Sequence, residues 1–90
     1  MLNAADKLDS LKRRIERKIW KDLGTGCWNW TAALDPKGYP RIRFGEQVLY
    51  GNRGTLLVFR KVPLTARVRV TMSCKNRKCV NPDHCVVEEQ

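Results

Sequence analysis

Apolar residues recur at three- and four-residue steps near the start of the chain. Leu8, Leu11, Ile15 and Ile19 fall on one stripe, which Trp20 and Leu23 widen, so the pattern predicts an amphipathic helix over residues 4–23. Asp6 and Asp9 stand near its positive end and Arg17, Lys18 and Lys21 near its negative end, as the helix dipole favours. Gly24 is expected to stop it. The opposite face carries Lys12, Arg13, Arg14, Arg17, Lys18 and Lys21, either a solvated surface or a strip that lies along a phosphate backbone.

From Thr25 the period drops to two. Cys27-Trp28-Asn29-Trp30-Thr31 alternates large apolar with polar residues and reads as a short strand. Asp35-Pro36-Lys37-Gly38 is a turn signal. In the run Tyr39 to Phe44, Arg41 and Arg43 share one face and Ile42 and Phe44 the other. Gly45-Glu46-Gln47 then turns the chain into Val48-Leu49-Tyr50, and a β-hairpin results. Residues 52–60 read as a short helix with Asn52 as its cap and Leu56, Leu57 and Phe59 facing inward. Pro63 closes it. Arg67 to Met72 alternates again, and Cys85-Val86-Val87 follows on the far side of a Cys-rich loop, so two antiparallel strands are expected to flank that loop. The fold class is therefore a small α+β domain. Its expected parts are a basic amphipathic helix in residues 1–24 and a metal-braced domain of β-hairpins plus a short helix in residues 25–90.

The loop holds the clearest chemistry. Cys74, Cys79 and His84 follow the spacing Cys-x4-Cys-x4-His, with Asn81, Pro82 and Asp83 turning the histidine back towards the thiols. This is the spacing of a zinc loop. A tetrahedral structural zinc needs four N or S ligands, and Cys27 is the best candidate for the fourth. Cys85 reads as a small core residue, with an exchange for His84 as ligand left open by their adjacency. Four cysteines could instead form two disulfides in a secreted protein. Residues 1–5, however, lead into a charged helix without an apolar leader, so a reducing cytoplasmic setting is expected, in which clustered Cys and His point to metal.

Charge adds a partner class. Lys and Arg number 18 against 9 acidic residues in 90, a formal net charge of +9, which favours a polyanion, nucleic acid before an anionic membrane. No apolar run approaches the roughly 18 residues of a membrane span, so no membrane partner is expected. Ninety residues bury a thin core, and a bound zinc would contribute folding free energy directly.

Three stretches carry a family resemblance: Ile19-Trp20-Lys21 with Gly26-Cys27-Trp28-Asn29-Trp30-Thr31; Lys37-Gly38-Tyr39-Pro40-Arg41-Ile42; and Cys74 through His84, above all Cys79-Val80-Asn81-Pro82-Asp83-His84. The chain resembles the HNH endonucleases of phages and mobile elements, and its loop is similar to that of the related His-Cys box homing endonucleases, built on a ββα-metal core. The resemblance implies that Cys27, Cys74, Cys79 and His84 hold one structural zinc and that a basic sheet docks in the DNA major groove.

It also implies a Mg²⁺-dependent nuclease whose general base is a histidine two positions before the first loop cysteine. Here that position is Met72, and a thioether takes no proton from water near neutral pH. The family also binds Mg²⁺ through an Asn or His on a helix beyond the loop, and only six residues follow His84 here. Glu88 and Glu89 are weak substitutes. The expectation is a domain with no catalytic residues that binds DNA and acts as a regulator of transcription rather than as an enzyme. Arg41, Arg43, Arg67 and Arg69 are the expected sheet contacts and Lys75, Arg77 and Lys78 the phosphate contacts. Two alternatives stand beside it: a phage-encoded module that captures a host nucleic-acid enzyme such as RNA polymerase, and a residual nickase. The oligomeric state is left open.

Overall fold

The computed structural model describes residues 4–64 and 67–89. The readings placed on residues 1–3 and on the Glu89 side chain lie outside what is described. The order of elements is α1 (Ala4–Glu16), β1 (Ile19–Lys21), β2 (Trp28–Trp30), β3 (Arg41–Phe44), β4 (Gln47–Tyr50), α2 (Gly51–Phe59), β5 (Val68–Met72), a 3-10 turn (Pro82–His84) and β6 (Cys85–Glu89). The strands form three two-stranded antiparallel sheets, β1 with β2, β3 with β4 and β5 with β6. This is an α+β fold, with the β3–β4 hairpin and the β5–β6 strand–loop–strand unit where the alternation predicts them; the β1–β2 pair was not expected. Among the described residues no helix is long and apolar enough to cross a membrane.

The first helix is shorter than its apolar stripe. It ends at Glu16, and Ile19 to Lys21 turn extended to pair with Trp30, Asn29 and Trp28 in antiparallel register. The β-branched Ile19 and aromatic Trp20 suit a pleated surface, and the pairing satisfies backbone groups that a continued helix would have to satisfy alone. Trp20 is consequently 60% exposed and Leu23 97% exposed, so neither extends the buried stripe. Gly24 lies in the turn that follows β1, where its N–H donates to Asp22 Oδ1 at 2.9 Å. Since β1 and β2 stand on either side of residue 24, the two segments expected from the sequence share a strand pair.

Several cations of α1 and β1 make contacts within the molecule. Arg14 Nη1 donates to the Arg43 carbonyl at 2.7 Å, Lys12 Nζ lies 5.3 Å from the Phe59 ring centre and Lys21 Nζ 4.4 Å from that of Trp28. These contacts fasten the helix and the first strand pair to their neighbours, so the basic face is only partly free for a polyanion.

Leu11, Ile15, Trp30, Ile42, Leu49 and Val80 form the buried core, with Ile19, Leu57, Val58 and Phe59 packed against it. The second helix begins at Gly51 directly from β4, and its capping residue is Tyr50, which makes no side-chain cap bond; Asn52 is inside the helix and does not cap it. Gly51 has no room for a side chain, since a Cβ there would stand 2.7 Å from Pro40 Cβ and 2.9 Å from Val80 Cγ1. That close approach lets α2 sit on both the hairpin and the Cys-rich loop. At its other end Arg60 Nη1 donates to the carbonyls of Pro82 and Cys85 at 3.2 and 3.4 Å, so α2 braces the loop from both ends.

Candidate metal centre

Each cluster residue is placed by its own local structure. Cys27 follows a tight turn in which the Gly26 N–H donates to the Asp22 carbonyl at 2.7 Å and the Asp22 N–H to the Cys27 carbonyl at 2.8 Å. Gly26 has φ +76°, a conformation that costs glycine little. Its side-chain position faces His84, 3.4 Å from Nε2. Cys74 sits in the turn after β5, where Lys75 takes φ +57°. Cys79 lies beside β2: the Trp30 N–H donates to the Lys78 carbonyl and the Val80 N–H to the Trp28 carbonyl, both at 2.8 Å. His84 closes the 3-10 turn, whose cap Asn81 accepts from the Asp83 N–H at 2.9 Å.

Asn81 also joins the two halves of the site. Its Nδ2 donates to the Gly26 carbonyl, so one buried amide shapes the turn that aims His84 and holds the turn that presents Cys27. A second amide repeats the tie further out, since Asn76 Nδ2 donates to Asn29 Oδ1 at 2.8 Å while its Oδ1 accepts from the Lys78 N–H at 3.0 Å. Buried polar groups satisfied in this way fix geometry.

The result is a group of four potential ligands, Cys27, Cys74, Cys79 and His84, whose ligand atoms all lie within 4.8 Å of one another. His84 Nδ1 is 3.8 Å from Cys27 Sγ and 3.5 Å from Cys79 Sγ. Three thiols and an imidazole so arranged could hold a metal ion. All four cysteines are free. Cys85 faces elsewhere, with its Sγ 3.5 Å from the Met72 sulfur and 3.5 Å from the Asn81 carbonyl, and burial pushes its thiol up to about 11.

The thiols differ in their readiness to ionise. Burial raises Cys27, but hydrogen bonds from Thr25, Cys79, Asn76 and Cys74 outweigh it and bring the thiol down to about 7. Burial dominates at Cys79 and pushes it up to about 12. An entering ion must therefore displace at least the Cys79 proton near neutral pH. Ligand thiolates in the loaded site have pKa values lowered below the ordinary value, so the stability they contribute is present at alkaline pH and is lost on acidification. The expected outcome is an apparent metal affinity that falls at least tenfold from pH ~7.5 to ~6.5, read by competition with a chromophoric chelator. A flat profile would mean that no thiol proton is displaced.

The residues proposed for nucleic acid are spread over neighbouring surfaces. Arg43 is exposed on β3 beside Val48. Arg41 is half-buried, 3.3 Å from Asp35 Oδ2, with its guanidinium 3.7 Å from the Tyr50 ring centre. Arg67 and Arg69 are exposed, Arg69 opposite Glu88 across the β5–β6 pair. Lys75, Arg77 and Lys78 are exposed on the metal loop, and Arg77 Nη1 donates to the Lys37 carbonyl at 2.9 Å. The sequence reading passed over Tyr39 and Tyr50. The alternation that places Arg41 and Arg43 on one face of the hairpin places these tyrosines there too.

No family model matches the chain, and no solved structure matches it. A phage protein does. Protein 2.8 of Escherichia phage T7 is 34% identical over 76 residues, which are 82% of this chain and 50% of that protein. The chain thus spans about half the length of the curated relative it matches. The likeness supports a phage origin.

Proposed function

We propose that this is a zinc-braced DNA-binding protein on the HNH and His-Cys box plan, without nuclease activity. The observation that carries the binding reading is the set of exposed cations, Lys75, Arg77 and Lys78 on the Cys-rich loop, Arg69 on β5 and Arg43 on the β3–β4 hairpin, of a chain with net charge +9. Zinc suits the ligand set because thiolate and imidazole donors favour it. Bonds of about 2.3 Å to sulfur and about 2.0–2.1 Å to nitrogen in a tetrahedron separate S and N ligand atoms by roughly 3.6 Å, close to the 3.5 and 3.8 Å found at His84. The strand, loop and strand of residues 68–89 follow the order that the HNH resemblance implies. The place of the general base is held by Met72, whose sulfur lies against Cys85 and the Asn52 amide and offers no proton acceptor for hydrolysis.

A gel assay with supercoiled plasmid and short duplexes, in Mg²⁺ at low and physiological salt, tests the proposal. Retarded and uncut DNA is expected. In the double variant Arg43→Glu/Lys78→Glu, duplex affinity should fall at least tenfold at low salt, and the slope of log affinity against log salt should flatten by about 2. Unchanged affinity would remove this surface from the reading. Nicked plasmid that disappears in EDTA would restore a residual nickase.

A second reading is favoured by Trp20, 60% exposed, and Leu23, 97% exposed, together with the β5–β6 pair, which no third strand of the described residues extends. These would serve capture of a host protein of nucleic-acid metabolism, such as RNA polymerase, by strand addition or apolar contact. A protein that neither shifts nor cuts DNA would make this the leading reading.

A further inference from the structure

We propose that Tyr39 and Tyr50 form a stacking platform for unpaired bases, so that the groove they wall binds single-stranded nucleic acid. The inference deepens the nucleic-acid reading above, on which it rests, by naming a site and a strandedness.

The two tyrosines are exposed without being loose. Tyr39 is 40% and Tyr50 46% exposed, and their rings meet edge to face, with centres 6.3 Å apart at 87°. Each ring has a guanidinium against it, Arg41 at 3.7 Å from Tyr50 and Arg77 at 5.4 Å from Tyr39. Both arginines are themselves held, Arg41 by the Asp35 carboxylate and Arg77 by the Lys37 carbonyl. Asp35 is fixed in turn by the backbone N–H groups of Lys37 and Tyr39, each 2.9 Å from Oδ1. The Tyr39 bond leads in holding that carboxyl below its usual pKa range, against the opposing effect of burial. A rigid aromatic surface presented to solvent loses little entropy when a planar partner stacks on it.

The surroundings specify the partner. Two adjoining grooves share Tyr39, Tyr50, Asn52 and Val70. One of about 250 Å³ runs to Lys75 and Arg77, and the other to Lys37, Arg53 and Arg69. None of the described residues lining either groove is acidic; Glu88, across from Arg69, and Asp35, under Arg41, stand outside them. Cations flanking an aromatic platform match a strand of alternating phosphate and base. On the groove wall, Asn52 Nδ2 points at the Met72 sulfur, 3.8 Å away, a weak acceptor that a base carbonyl would replace. Stacking requires a base outside a duplex, and paired bases would offer these rings only groove edges and sugar. Phosphate attraction alone would serve a duplex equally, so it is the tyrosines that select unpaired strands.

The test is fluorescence anisotropy of the zinc-loaded protein with labelled oligothymidylate, oligouridylate, an abasic oligodeoxynucleotide of equal length and a short duplex. The wild type is compared with Tyr39→Ala/Tyr50→Ala and Tyr39→Phe/Tyr50→Phe, after thermal melts confirm that all three fold. The alanine pair is expected to weaken oligothymidylate or oligouridylate binding at least tenfold with the salt slope unchanged, and the phenylalanine pair to restore it. Duplex affinity should hold within twofold, and the abasic strand should bind wild type no better than oligothymidylate binds the alanine pair. Binding of either homopolymer, with or without a preference between them, supports the site. Equal binding by wild type and the alanine pair, or by thymidylate and abasic strands, overturns the platform. Duplex binding without single-strand binding overturns this inference alone, whereas no binding to any oligonucleotide at low salt overturns the DNA-binding reading with it.

Discussion

The variant Cys79→Ser is expected to lose at least about 4 kcal/mol of stability, with a matching loss of bound metal. A structural zinc in a small peptide contributes roughly 10–16 kcal/mol of apparent binding energy at pH ~7, whereas whole domains are stable by about 5–15 kcal/mol. A bound zinc would thus be on the scale of the entire net stability. A serine hydroxyl is a poor ligand for the ion. It also leaves a polar group at a position 1% exposed, beside the bonds that seat the loop on β2. At roughly 4–8 °C per kcal/mol for a domain of this size, the melting temperature should fall by about 16 °C or more. A chelator should do the same to the wild type.

Circular dichroism melts and metal counting by native mass spectrometry measure both effects. The variant Cys85→Ala serves as the contrast. Its thiol packs against Met72 and lies outside the ligand group, so a loss of about 1–2 kcal/mol with one ion retained is expected. A Cys79→Ser protein that melts with the wild type would take the metal out of the fold.

Truncation of Ile15 to alanine should cost about 3 kcal/mol, within the range of roughly 2–5 kcal/mol for emptying a buried aliphatic site. Ile15 has no exposed surface. It packs where α1 crosses α2, so close to Gly54 that a Cβ on that glycine would stand 3.3 Å from Ile15 Cδ1. Two elements distant in sequence lean on this one side chain. The variant Leu23→Ala, at a site 97% exposed, should change stability by no more than about 0.5 kcal/mol. Denaturant midpoints read both. Equal losses from the two substitutions would mean that the apolar stripe is buried as a single helix through residue 23, and would contradict the turn at Glu16.

These contrasts mark where the sequence is informative. The metal cluster was legible because ligand chemistry demands residue types at short spacing, as Cys74, Cys79 and His84 show. Cys27 was within reach because so few free donors were left. The β3–β4 hairpin was legible from alternation that starts after Asp35-Pro36-Lys37-Gly38 and turns at Gly45. Ile19 to Lys21 misled because their apolar spacing continues a helical stripe, while the pairing that makes them a strand comes from Trp28 to Trp30, beyond the turn. Asn52 looked like a cap because caps are local, yet α2 starts from β4 under a constraint set by Pro40 and Val80. The tyrosine pair was hidden for a similar reason: Tyr39 and Tyr50 meet only once the hairpin register places Arg41 against Tyr50.

The two amide ties at Asn81 and Asn76 bear on the order in which the molecule assembles. Cys74, Cys79 and His84 lie close in sequence and can gather around an ion early, at little entropic cost. Cys27 lies 57 positions from His84, and closing a loop of that length costs roughly 3–4 kcal/mol of chain entropy, by the logarithmic dependence on length. With an ion bound, the fourth ligand is therefore expected last, when β1, β2 and the Asn81 bond to Gly26 have brought its turn within reach. Folding should pass through a form with the ion held by the loop alone, and the rate at which Cys27 joins should follow the slow, non-local pairing of the two halves.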